Sequence, residues 1–237
     1  MPVLFLALLT ATPVQAAERS YSVTDFDRIR IEGPYIVRLT TGRATTARAR
    51  GSQGALEQVA IDVQGQTLRI RRNRSAPSGT PGAQQGPLEI ELTTRVLRAA
   101  WLLGPANLEL DGAEGLRVEF TVEGSGRLRA TNIEADNLSI GLRGSGRLEL
   151  AGRAETMRAS VEGTGDVDAS ALIADDLTAT TSTSGTVALA AGRIARINAL
   201  GLGEVSVAGR PACTVQGPSA GQVSCGSDQR QARQLGR

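Results

Sequence analysis

The chain has 237 residues, with 28 glycines, 26 arginines, no lysine and no histidine. That length suits one large all-β domain or two small ones, with a core that needs neither metal nor several disulfides to hold it. The absence of histidine removes Ser-His-Asp and Cys-His catalysis and most zinc sites, and an aromatic content of 3% leaves few platforms for stacking bases or sugar rings. The formal net charge of +2 divides unevenly, with 13 Arg against 8 acids in residues 1–103 and 13 Arg against 16 acids in residues 104–237. Neither half has a dense basic patch, so nucleic acid is not an expected partner.

Residues 3–12 form an apolar run of signal-peptide length, followed by Pro13 and the small-x-small site Val14-Gln15-Ala16. Cleavage after Ala16 and export, to the periplasm or outer envelope, are expected. The segment before the run lacks Arg and Lys, which leaves open a start codon upstream of Met1. No cysteine lies near the cleavage site, so a lipid anchor is not expected, and no later stretch reaches the ~20 apolar residues of a membrane helix. Residues 17–103 read as irregular strands at 26–32, 35–40, 45–50, 59–63, 67–72 and 88–93. Residues 73–87, rich in Ser, Pro, Gly and Gln, read as a flexible loop. A boundary is expected near Gly104, and the first half is either a separate β unit or the start and cap of a longer β structure.

From residue 104 the sequence repeats. Turn centres fall at 105, 125, 145, 164, 184, 202 and 220, marked by Gly124-Ser125-Gly126, Gly144-Ser145-Gly146, Gly163-Thr164-Gly165 and their variants. Three residues after each centre stand Leu108, Leu128, Leu148, Val167, Val187, Val205 and Val223. Five residues before come Phe120, Ile140, Ala159, Ala179, Ile197 and Val215, and polar residues alternate with these apolar ones as one-sided strands require. A spacing of 18–20 residues with two short strands and no helix predicts a parallel β-helix, or β-solenoid, over 104–226. A row of antiparallel hairpins also accommodates Gly-Ser-Gly turns, but hairpins need no fixed period. Cys213 and Cys225 fall at inward offsets on either side of the last turn, which in an exported protein predicts a disulfide across the terminal coil. Residues 227–237 read as a disordered polar tail.

The run Asp25-Phe26-Asp27-Arg28-Ile29-Arg30-Ile31, then Tyr35-Ile36-Val37-Arg38-Leu39 and Thr67-Leu68-Arg69-Ile70, followed by the Gly-Ser-Gly repeats, resembles the GIN-domain family of bacterial envelope proteins, labelled autotransporter adhesin head domains. The resemblance covers residues 21–225. It implies a secreted or periplasmic β-helical domain and supplies no catalytic residues.

The Gly-Ser-Gly turns lack the third glycine and the helix of a dinucleotide site. The one triplet followed by Asp, Gly163-Thr164-Gly165-Asp166, does not recur as a calcium repeat would. Stacking in register places Asp136, Glu155 and Asp175 in an acidic column, the arrangement that β-helical polysaccharide lyases and hydrolases put to use. Carboxylates are also ordinary corner residues, and Arg153 and Arg158 stand close by. Glu123, Arg143 and Glu162 should form a surface ion ladder. The expected protein is a non-enzymatic exported envelope protein with no cofactor, binding an envelope protein or surface polymer through its polar faces. A β-helical carbohydrate-active enzyme is the alternative.

Overall fold

A computed structural model describes residues 17–76 and 88–227. The expected signal segment 1–16, most of the 73–87 loop and the tail after residue 227 lie outside them. The chain runs through β1 (Ala17–Tyr21), β2 (Arg28–Glu32), β3 (Ile36–Thr40), β4 (Thr46–Gly51), helix α1 (Gln53–Gln58), β5 (Val59–Gln64), β6 (Thr67–Arg72), β7 (Glu89–Thr93) and β8 (Ala99–Leu103). The repeats continue as β9 (Asn107–Gly124), β10 (Arg127–Gly144), β11 (Arg147–Gly163), β12 (Asp166–Thr183), β13 (Val187–Ala199), β14 (Val205–Gly209), β15 (Ala212–Gln216) and β16 (Val223–Ser227).

These strands form a parallel β-solenoid of about 6 turns. Leu128 pairs with Leu148 and Leu148 with Val167 in parallel neighbours, and all three are buried. Stacking identical offsets makes one continuous core, each fully buried Leu or Val contributing about 1.5–3 kcal/mol. In place of two short strands per repeat, β9 to β12 are each one long strand that bends midway without leaving its ladder. At that bend the inward residues alternate in bulk from rung to rung: Ala113 pairs with Ile133, Ile133 with Gly152 and Gly152 with Leu172. A large side chain therefore fills the space its small neighbours leave.

The Gly-Ser-Gly turns need glycine for two reasons. The first glycine of each triplet has positive φ, +112° at Gly124, +118° at Gly144 and +111° at Gly163. The second lies against the turn below: a Cβ on Gly126 would stand 2.7 Å from the Ala106 carbonyl oxygen, and one on Gly146 2.5 Å from that of Gly126. Where Thr183 replaces the first glycine, its Oγ1 donates to the Gly165 carbonyl at 3.2 Å and accepts from the Gly185 N–H at 2.9 Å.

The strands before residue 104 enter the same two ladders. On one side of the coil β8 pairs with β9, β2 with β8 and β6 with β2, all parallel, and β5 adds antiparallel to β6. On the other, β3 pairs with β9 and β7 with β3 in parallel, then β4 and β1 add antiparallel. The β2–β3 coil thus sits between the β6–β7 coil and the β8–β9 coil, out of chain order. Helix α1 crosses from β4 to β5 over this end. Ser52 Oγ caps it by accepting from the Ala55 N–H at 3.2 Å, and Leu56 beneath it is buried. Arg19 Nη1 donates to the Leu56 carbonyl at 3.2 Å, tying β1 to the helix.

Among the described residues the opposite end has no such cover: β15 pairs only with β13, and β16 only with β14. Cys213 and Cys225 form a disulfide with Cα atoms 6.5 Å apart, joining the two sides of the last coil. Cys213 is exposed and Cys225 half-buried, because no further rung of the described residues lies over them.

Candidate functional site

An open groove of about 1040 Å³ lies along the bend of the long strands. Its floor is the backbone at Gly115, Ala135 and Ala154, consecutive rungs of one ladder, with the Ala135 and Ala154 side chains buried beneath it. The residues just before and after each floor position face outward, as strand alternation dictates. One rail consists of Glu114, Glu134 and Arg153; the other of Leu116, Asp136, Glu155 and Asp175. Val96 and Arg98 close one end and Arg117 lies beside it. Arg98 is held there by the buried Asp27, Nη1 to Oδ2 at 3.5 Å.

Asp136, Glu155 and Asp175 therefore line one groove. Their flanking pairs, Ala135 with Ala154, Ala154 with Ala174, and Thr156 with Asp176, put them on successive rungs, about 4.8 Å apart along the axis. The lining holds five carboxylates, Glu114, Glu134, Asp136, Glu155 and Asp175, and three guanidiniums, Arg98, Arg117 and Arg153. No group of three or more potential metal ligands among the described residues is arranged to hold an ion. Arg153 shares the groove with the acidic column, whereas Arg158 lies in a separate recess beside Glu119 and Asn137. The opposite rail escaped the sequence reading, although Glu114 and Glu134 recur at one offset before the floor. Leu116, 75% exposed, breaks the polar character at one end of the groove.

Elsewhere the outer faces are ion-paired. Arg143 lies 3.9 Å from Glu123 and 3.2 Å from Glu162, the ladder expected from register. On the other face Arg38 contacts Glu109 at 3.1 Å and Glu89 at 3.4 Å, and Arg50 contacts Glu18 and Glu91, each at 3.1 Å. The hydrogen bond to Glu109, with the charges of Glu109 and Glu89, pushes the Arg38 guanidinium further toward its protonated form. Among the described residues the five groove carboxylates make no ion pair, while just outside the lining Arg193 Nη2 meets Asp176 Oδ2 at 2.8 Å.

The described residues thus form a parallel β-solenoid with glycine turns, a capped first end and a polar axial groove. The chain belongs to the family described as "Putative auto-transporter adhesin, head GIN domain", whose profile matches residues 25–211. Similar solved structures include a "putative adhesin" from Bacteroides fragilis, 17% identical, TM-score 0.74, with 90% of this chain and 95% of that chain covered. A "putative lipid binding protein" from Parabacteroides distasonis is 20% identical with a TM-score of 0.69, over 91% of this chain and 98% of that one. A "putative adhesin" from Parabacteroides merdae is 14% identical with a TM-score of 0.65, over 90% and 96%. At these identities the likeness is one of fold. No curated protein sequence matches the chain.

Proposed function

We propose that the protein is a non-enzymatic, exported envelope protein that binds a linear, polar surface polymer along its axial groove. The observation that carries this reading is the groove itself, a small-residue floor at Gly115, Ala135 and Ala154 between two largely charged rails. A periodic track of carboxylate acceptors and guanidinium donors suits a chain of hydroxyl-bearing units, each of which both donates and accepts hydrogen bonds. The family's adhesin description and the disulfide support export and surface binding. No helix among the described residues is long and apolar enough to cross a membrane. The charged rails favour a hydrated polymer over the lipid named for the Parabacteroides distasonis protein.

The test is retention of isolated envelope polysaccharides on immobilised protein, comparing wild type with Asp136→Asn/Glu155→Gln/Asp175→Asn. Wild type should retain a polymer fraction and the triple variant should lose it at an unchanged melting temperature. Equal retention by both would overturn the groove reading. The enzyme alternative rests on the same three carboxylates and makes a different prediction: release of reducing ends or unsaturated uronates by wild type, abolished in the triple variant.

A further inference from the structure

The two ends of the solenoid are built differently. At the first end the core is closed by α1, and the edge strands carry charge: Glu18 and Arg19 in β1, Asp62 in β5. Charged side chains on edge strands are a usual guard against pairing with another chain. The last coil lacks both devices. Residues 211–227 include no Asp, Glu, Lys or Arg, although charged residues make up 21% of the chain. Among the described residues β15 and β16 each leave one edge of backbone N–H and C=O groups unpaired, and the inward-facing Val215, Val223 and Cys225 are only half-buried. The disulfide holds these two edges, one on each side of the coil, at a fixed separation.

From these features we infer that the terminal coil is a self-association surface, joining two copies of this chain end to end. Extending both ladders at once requires a partner with two strand edges at the same separation, and a second copy offers that spacing by construction. A two-fold axis at right angles to the solenoid axis, passing through both sheets, lays β15 against the partner's β15 and β16 against the partner's β16. Both pairings are antiparallel, and the interface is isologous. In such a contact each residue meets its own kind or a near neighbour, so a charged edge would oppose like to like. The charge-free edge removes that cost. The half-buried valines and the exposed disulfide then become the interior of a continuous core shared by the two copies. A single extended peptide satisfies only one of the two edges.

The experiment is sedimentation velocity of the purified chain across the micromolar range, in low and high salt. Wild type should sediment as a dimer whose dissociation constant changes by less than about twofold with salt, because no charge lies in the contact. Thr214 and Ser224 are exposed outward-facing residues of the two edge strands. Thr214→Lys/Ser224→Lys places like charges across the two-fold and should leave a monomer whose thermal melt matches that of wild type diluted well below its dissociation constant. A wild-type chain that stays monomeric, or a dimer that survives both substitutions, overturns the inference. So does a dimer that forms only after removal of residues 228–237, which assigns the edges to the chain's own tail. These readouts need no polymer, so they fail or succeed independently of the groove.

Discussion

Replacing Gly146 by alanine tests the claim that turn spacing is set by backbone contact between rungs. A Cβ there would lie 2.5 Å from the Gly126 carbonyl oxygen and 2.9 Å from Val122 Cγ1, where ordinary contact begins near 3.4 Å. The obstructing oxygen belongs to a hydrogen-bonded rung, since the Arg147 N–H donates to it at 2.9 Å, so it cannot swing aside as a side-chain end would. Overpacking of this kind costs about 1–3 kcal/mol. For a domain of this size each kcal/mol shifts the melting temperature by about 2–4 °C, so Gly146→Ala should melt about 2–12 °C below wild type. Gly54 in α1 is the control, because a Cβ there meets nothing within 4 Å. Alanine in a helix is better than glycine by about 0.5–1 kcal/mol, so Gly54→Ala should raise the melting temperature slightly. Circular dichroism melts of the three proteins decide the matter. If Gly146→Ala melts with wild type while Gly54→Ala behaves as expected, the close-approach explanation of the turns is wrong.

Cys213→Ser/Cys225→Ser removes a link across 12 residues, worth about 3 kcal/mol in the chain-entropy picture; hydrogen exchange should quicken over 212–227 while β9 to β12 keep their protection. Burial pushes the Tyr35 hydroxyl pKa above its usual value, against a smaller opposing effect of Arg72 and with some help from Tyr21. A pKa raised in the folded state means stability present below about pH 10 and lost as the pH climbs beyond it. Denaturant midpoints of Tyr35→Phe should therefore decline less steeply above pH 10 than those of wild type. Arg143→Ala breaks two exposed pairs and should cost no more than about 1 kcal/mol, less still in high salt; a salt-independent loss would show that Arg143 acts through packing instead.

The repeat half of the fold was legible because each coil buries the same offsets: Leu128, Leu148 and Val167 announce one another. Five of the six strands read before residue 104 lie within two residues of their observed bounds at each end, and the sixth, 67–72, matches outright. What those strands pair with was not legible. Arg28 meets Thr67 on one side and Ala99 on the other, and period-two patterning marks a strand's faces without naming its neighbours. Strand β1, helix α1 and β8 were missed. α1 is one short helical segment started by Ser52, and β8 is an Ala-Ala-Trp-Leu-Leu segment buried enough to lose its alternation. The register that lines up Asp136, Glu155 and Asp175 was readable from the turns. The groove was not, because it depends on the midway bend, where Asn132 at φ 54° and Gly152 redirect the chain with no repeated motif to signal it.

The out-of-order placement of the β2–β3 coil bears on how the molecule comes into being. Each coil from β9 onward can dock on the one before it, its partner residues lying a single repeat back in the chain, so that half can grow by successive local additions. β2 and β3 cannot. Made first, they wait with both edges bare until β6, β7, β8 and the start of β9 have all been synthesised, and their closure fixes many distant contacts in one step. Contact order thus predicts that the slow, all-or-none event in folding belongs to the N-terminal coils, with the glycine-turned repeats adding themselves to a foundation that is laid late although it is encoded early.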